Sequence, residues 1–278
     1  MSAKNFLKAL LSDRTGLAGF LMLSSVILVG FLAPYLNFRD PRGLDYQRFL
    51  PPSLEHPFGT DHLGRDIFSR AVWGIRTSLA IGAIAAFISF GIGVVLGAVA
   101  GYFGGVVDHV ISRITEIFLM IPSFFLILFI IAVYGGSIFN VMAAIGLLIW
   151  PSNARITRAQ VLSLREREFV QASILAGVSH MKVLFRHIVP NAIFPIIANT
   201  MLQIAGAILT ETGLSFLGLG DPNVISLGRM IYEGQLYIAS RWWEALAPGA
   251  VIVIMVFAVH LLGDALSRIL TEKRLGGL

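Results

Sequence analysis

The sequence predicts an all-α polytopic membrane protein with six transmembrane helices and a cytoplasmic helix–Gly–helix loop between spans 4 and 5. Three observations predict it. Of 278 residues, 56% are hydrophobic and only 13% charged, whereas soluble domains carry about 25% charged residues. The apolar residues fall in unbroken runs about as long as a bilayer crossing. Those runs lack period-2 alternation, which selects helices over a closed barrel, the two structures that satisfy backbone polar groups in lipid. Cysteine is absent, so disulfides, thiolate chemistry and cysteine-based metal sites are excluded. The net charge of +5 is explained by cationic flanks of membrane helices rather than by nucleic-acid binding.

Residues 1–16 form a tail carrying Lys4, Lys8 and Arg14. Span 1 covers 17–36. It is longer than a signal-peptide core and no small-x-small cleavage site precedes Pro34, so it reads as an uncleaved anchor. Residues 37–77 form an extracytoplasmic loop. Its His56, Asp61, His62 and Asp66 are metal-capable residue types, but the expectation is a solvated loop, capped through Asp or Thr, with no metal. Residues 78–266 form the membrane core. Span 2, near 78–101, carries Gly93, Gly97 and Gly101, a spacing that lets helix backbones approach closely. Glu116 and Arg155 enclose 38 uncharged residues, enough for two spans, near 117–133 and 138–150. The break is placed at "YGGS" (134–137), because paired glycines punctuate turns. Span 5 lies near 192–212 and span 6 near 247–266, before a tail over 267–278. With both termini cytoplasmic, 13 of the 21 Lys and Arg residues fall on the inner side, in line with the positive-inside rule.

Parity then puts the charged segment 163–190, "SLREREFVQASILAGVSHMKVLFRHIVP", in the cytoplasm. Ser163 and Glu166 fit a capping box. Phe169, Ala172, Ser173 and Ala176 share a helix face. Gly177 is a natural helix stop, and Ser179 can cap a second helix. Met181, Leu184, Phe185 and Ile188 repeat the spacing until Pro190 ends that helix or starts the next span. The pattern describes two short amphipathic helices joined at a glycine, either resting on headgroups or gripped by a partner.

Polar residues inside spans are the other candidates. Asn199, Gln203, Gly206 and Thr210 align on one face of span 5, followed by Glu211. They line a translocation path or bond between helices. His260 and Asp264, four apart on span 6, can pair structurally. Ser215 with His260 resembles a protease dyad on paper, but the two fall at opposite depths of the bilayer. No G-x-x-x-x-G-K-[ST] motif is present, so no nucleotide is bound through a P-loop.

Residues 171–173 (Gln-Ala-Ser), Gly177 and 188–190 (Ile-Val-Pro) together resemble the "EAA…G…I-LP" loop of permease subunits of binding-protein-dependent ABC importers. "HPFGTDHLGRDIFSR" (56–70), "GYFGGVVD" (101–108), "SLREREFVQAS" (163–173), "FRHIVPNA" (185–192), "LSFLGLG" (214–220) and "LLGDAL" (261–266) are similar to the C-type permease of the dipeptide/oligopeptide/nickel class. They occur in order over nearly the whole chain. Two departures stand out. Gln171 replaces the usual glutamate and Ser173 the second alanine, and "SLG" (226–228) replaces "SWG". The resemblance implies a non-enzymatic subunit in a prokaryotic inner membrane. It implies pairing with a B-type permease, two cytoplasmic ATPase subunits that bind ATP and Mg, and an extracytoplasmic solute-binding protein. The ATPase contact would fall on Glu168, Gln171, Ala172, Ser173, Gly177 and Val178, and the path on Asn199, Gln203, Thr210 and Glu211. Peptides are the expected cargo, with oligosaccharides or nickel as the alternative in the same architecture. A secondary transporter is less compatible, since no cluster of buried acids is present for ion coupling.

Overall fold

The computed structural model describes residue 10, residues 12–35 and residues 39–275, the last six by backbone alone. Lys4, Lys8, residue 36 of the first expected span and residues 276–278 lie outside the described residues. The helices are α1 (Arg14–Leu32), α2 (Ile67–Phe103), α3 (Gly105–Met120), α4 (Ser123–Tyr134), α5 (Ile138–Arg165), α6 (Glu168–Leu175), α7 (His180–Phe216), α8 (Leu227–Gly234) and α9 (Trp243–Leu275). Among the described residues the extended structure is a single bridge, Thr60 to Asp66.

Four helices are long and apolar enough to cross a membrane: α1, α2, α7 and α9 through Ile269. The expected third span, 117–133, is not one straight helix. It falls on α3 and α4, which meet at 83° and qualify only as a bent pair. Pro122 causes the break. It has no N–H and forces the residue before it out of the helical region, and Ile121 is extended at φ −84°, ψ 127°. The expected fourth span, 138–150, is the first half of α5, which continues through Pro151 to Arg165. Its second half brings in Asn153, Arg155 and Arg158, and α5 is not among the helices apolar enough on their own. The loop expected over 37–77 ends earlier, because α2 starts at Ile67 with Asp66 as its cap, the carboxylate accepting from the Ser69 N–H at 2.8 Å. With 37 residues, α2 is about 55 Å long at 1.5 Å per residue, longer than the roughly 30 Å hydrocarbon layer.

The α2–α5 packing is the backbone of the bundle. A Cβ added at Gly93 would lie 2.5 Å from Asn153 Cβ, at Gly97 2.3 Å from the Ala154 carbonyl oxygen, and at Gly101 2.8 Å from the Arg158 carbonyl oxygen. Three turns of α2 thus touch α5 backbone to backbone, as the glycine spacing predicts. Core clusters stack along the bundle. One, around Val94, Val161, Leu184 and Ile188, lies at the end that carries α6. A second, around Ile67, Ile75, Leu227 and Met255, lies at the opposite end. Asp13 and Arg268, 3.4 Å apart, and Leu10 packed with Leu262 and Ile269 join the start of α1 to the late part of α9.

Candidate functional site

The segment after α5 folds as an elbow of two helical arms. α5 ends at Arg165, and α6 starts two residues after its cap Glu166, with Arg167 as N-cap and no side-chain bond there. The expected capping box therefore does not form. Ser163 is still inside α5 and its hydroxyl donates to the Gln160 carbonyl at 2.9 Å. Gln171 closes the junction instead. Its amide donates to the Arg165 carbonyl at 3.0 Å, satisfying one of the four carbonyls that a helix end leaves open. An ionised glutamate only accepts, so it could not make this bond. Gln171 in place of glutamate has a structural use here.

α6 ends in a Schellman motif. Gly177 N–H bonds to the Ile174 carbonyl at 2.9 Å, and Val178 N–H to the Ser173 carbonyl at 3.2 Å. Gly177 sits at φ +75°, a conformation costly for residues with a Cβ. The buried stripe differs from the expected one. Val170 is buried and Ile174 and Val178 pack with it, whereas Phe169, Ala172 and Ala176 face out and Ser173 is half-buried. Ser173 uses its hydroxyl on the Phe169 carbonyl, 2.8 Å away. Glu168 is exposed in the first turn, where the helix dipole favours an acid. Leu175 is 89% exposed, so the tip of the elbow carries unpartnered apolar surface.

Ser179 takes the N-cap position of α7 without a side-chain bond. The helix then runs past Pro190 unbroken, because residues 183–188 widen into a π-turn. Pro190 has no N–H and its ring would clash with the carbonyl four residues back; the wider turn accommodates it. The widening also resets the register. Val183, Leu184 and Ile188 are buried while Met181 and Phe185 of the expected face are exposed. The second arm of the elbow and the membrane helix are thus one rod. One bond ties it to α2, Tyr102 Oη to His180 Nδ1 at 2.8 Å, and the end of α5 is tied to α2 as well, Arg165 Nη1 donating to the Gly101 carbonyl at 3.3 Å. Arg158 clasps Asp108 of α3 at 2.5 and 2.6 Å.

The four expected path residues separate into different environments. Asn199 and Gln203 join a lattice centred on fully buried Asn153 of α5. Asn153 donates to Gln203 Oε1 at 2.8 Å and accepts from Asn199 at 2.8 Å. Ser89 of α2 donates to the same Gln203 oxygen at 2.8 Å, and Gln203 donates to the Ile149 carbonyl at 2.9 Å. This is the interhelical bonding alternative. Among the described residues the Thr210 hydroxyl bonds back to the Gly206 carbonyl, 2.8 Å away, and a Cβ at Gly206 would meet nothing within 4 Å. Glu211 is buried further along, accepting from Ser215 at 2.7 Å and Ser226 at 2.8 Å. His260 and Asp264 are both exposed, and among the described residues no hydrogen bond or ion pair joins them. Sequence reasoning missed Ser89, Asn153, Asp108, Arg158 and Tyr102. The signal for Asn153 was its place beside Pro151 in an otherwise apolar run.

The loop before α2 is solvated at residues 51–55, but three of its metal-capable side chains are not: His56, Asp61 and Asp66 are each at most 3% exposed. Asp61 Oδ2 accepts from Arg70 at 2.5 Å and Arg65 at 2.6 Å, and its Oδ1 accepts the N–H groups of Leu63 and Arg65. Glu233 of α8 accepts from Arg65 at 2.7 Å, Arg70 at 2.9 Å and Arg229 at 3.2 Å. Burial pushes both carboxyls up. The Arg70 and Arg65 guanidiniums outweigh it, so both stand below their ordinary values. Elsewhere Asp66 bonds His56 at 2.8 Å and Glu244 bonds His62 at 2.5 Å. Asp61, His62 and Glu244 bring one ligand atom each within 4.8 Å of one another. Asp61 already has both oxygens taken, two of its donors being cationic, which makes the trio a poor cation site.

An elbow at one end of an apolar bundle and a salt-bridged cap at the other describe a component of a membrane transport machine. The chain belongs to the family of binding-protein-dependent transport system inner membrane components, whose description matches residues 93–275. It is 37% identical over 268 residues to the dipeptide transport system permease protein DppC of Alkalihalophilus pseudofirmus, covering 96% of this chain and 88% of that one. It is 36% identical to the oligopeptide transport system permease protein OppC of Bacillus subtilis, covering 94% and 87%. An inward-facing structure of the MetNI methionine ABC transporter shares the fold with a TM-score of 0.57 at 20% identity, over 72% of this chain and 95% of that one.

Proposed function

We propose that the chain is the C-type permease of an ATP-driven importer of di- or oligopeptides. The observation that carries this reading is the elbow: a fixed knob, Glu168 to Val178, whose second arm continues without a break into α7. The names of the relatives support peptides as the cargo. In this reading the chain crosses the membrane six times, with the bent α3–α4 pair and α5 as the third and fourth crossings, and both termini and the 163–190 loop cytoplasmic. It pairs with a B-type permease and receives peptide from a solute-binding protein. Two ATPase subunits bind ATP and Mg and grip Glu168, Gln171, Ala172, Ser173, Gly177 and Val178. Their closure displaces the elbow. The displacement passes along α7, and through Tyr102 and Arg165 to α2, shifting the bundle between two states of access. Asn199 and Gln203 hold α7 to α5, and the open side at Gly206 and Thr210 faces the passage.

Gly177→Val tests the coupling. Space around Gly177 is free, so the cost is conformational, about 1–2 kcal/mol for a left-handed residue with a Cβ. It falls on the shape of the knob. The expected result in reconstituted transporter is normal insertion, continued ATP hydrolysis and at least tenfold slower peptide uptake. Uptake at the wild-type rate would refute the role.

A further inference from the structure

The cleft between the outer loop and α8 encloses about 400 Å³, with Arg42, Arg65, Arg70, Arg229 and Glu233 among its walls. Four guanidiniums are answered by two carboxylates, Asp61 and Glu233. Asp40 and Asp45 lie near the rim, but neither forms an ion pair with these arginines among the described residues and neither lines the cleft. Asp221 is turned to the backbone N–H groups of Ile138 and Asn223. The residues that line the cleft are therefore predominantly cationic, four arginines against Glu233. Among the described residues the Arg42 guanidinium has no acid partner and donates to the Asn223 carbonyl at 3.1 Å, while its backbone N–H donates to Asp40 at 2.9 Å. Arg70 is 4% exposed and its Nε has no hydrogen-bond partner among the described residues. A buried donor left open is costly, and a surplus of forked guanidiniums is the arrangement that binds carboxylates bidentately.

We propose that this cleft is a carboxylate site that takes the free C-terminal carboxylate of a peptide at the outer mouth of the importer; the assignment rests on the peptide-import reading above. The volume is that of a small-ligand pocket, and Leu44 and Ile225 give it apolar wall for a terminal side chain. A concave pocket with a half-buried to buried arginine floor suits a chain end better than the flat rim charges of a docked protein.

The test compares uptake of trialanine with uptake of trialanine amide by the complete reconstituted transporter, wild type against Arg42→Gln and Arg229→Gln. The same binding protein serves every arm, so any change in the acid-to-amide ratio of kcat/KM belongs to the permease. Arg42 is exposed, so its variant keeps the fold. The expected result is a fall of about tenfold in the ratio, the effect of losing one charge-assisted bond pair. An unchanged ratio with uptake intact overturns the site and leaves the importer reading standing. An equal loss for both peptides also overturns it, and assigns the arginines to docking an acidic surface of the binding protein. Silence of the wild type toward both peptides overturns the peptide reading, and this site with it.

Discussion

Gly91 and Gly97 lie on the same helix, six residues apart, and see opposite surroundings. A Cβ at Gly97 would stand 2.3 Å from the Ala154 carbonyl oxygen and 2.8 Å from Thr157 Cβ, while one at Gly91 would meet nothing within 4 Å. The backbone cannot yield at Gly97 without separating α2 from α5. Gly97→Ala is expected to cost about 1–3 kcal/mol by overpacking, seen as a drop of several degrees in Tm of the purified complex. Gly91→Ala is expected to gain roughly 0.5–1 kcal/mol, because alanine is the better helix former. Equal effects of the two would contradict the close approach. The glycine spacing was legible in the sequence because small residues four apart have one common use in membranes. Gln171 was legible only as a departure. Its bond to the Arg165 carbonyl depends on where α5 stops, and a sequence places helix ends poorly.

At the scale of elements, the cap that the 39–66 loop forms with α8 is held by charge. The Asp61 and Glu233 carboxyls are depressed by Arg70 and Arg65 against the upward push of burial. A depressed folded value means that the stabilisation is complete above the ordinary values, 3.8 for aspartate and 4.5 for glutamate. It is lost as pH falls through the depressed ones. Hydrogen exchange across residues 59–70, corrected for the intrinsic pH dependence, is expected to show constant protection from pH 7 to about pH 5 and loss below pH 4. Protection that stays flat to pH 2 would mean that packing, not the ion pairs, holds the cap. This element was the least legible. A loop rich in charge and turn residues reads as solvated, and the partners that bury it, Glu233 and Glu244, lie more than 160 residues away in sequence. The elbow was more legible because its stop signal is local, whereas the buried face of its second arm was misassigned, since the π-turn that absorbs Pro190 shifts which residues share a face.

Across the whole molecule, α7 is the element that touches everything the proposal needs. Its first turn carries the elbow's second arm, its middle is bonded to α5 through Asn199 and Gln203, and its far end carries Glu211 bonded to the cap of α8 through Ser226. A push at residue 180 therefore reaches residue 226 along one rod. Between the lattice and Glu211 the rod is uncovered at Gly206 and half-covered at Thr210, while Ala207 is buried. The chain has no cysteine of its own, so a single introduced thiol is the only labelling position it offers. Cysteine at 206 or 210 is expected to react with a polar, membrane-impermeant thiol reagent in the assembled transporter. The rate should change at least several-fold between the nucleotide-free and ATP-trapped states. Cysteine at 207 is expected to stay unreactive in both. A lipid-facing side would be closed to a polar reagent throughout, and a side sealed by the second permease would be closed in the same way. Protection of 206 and 210 in every nucleotide state would therefore remove this face from the passage and leave α7 as a lever alone.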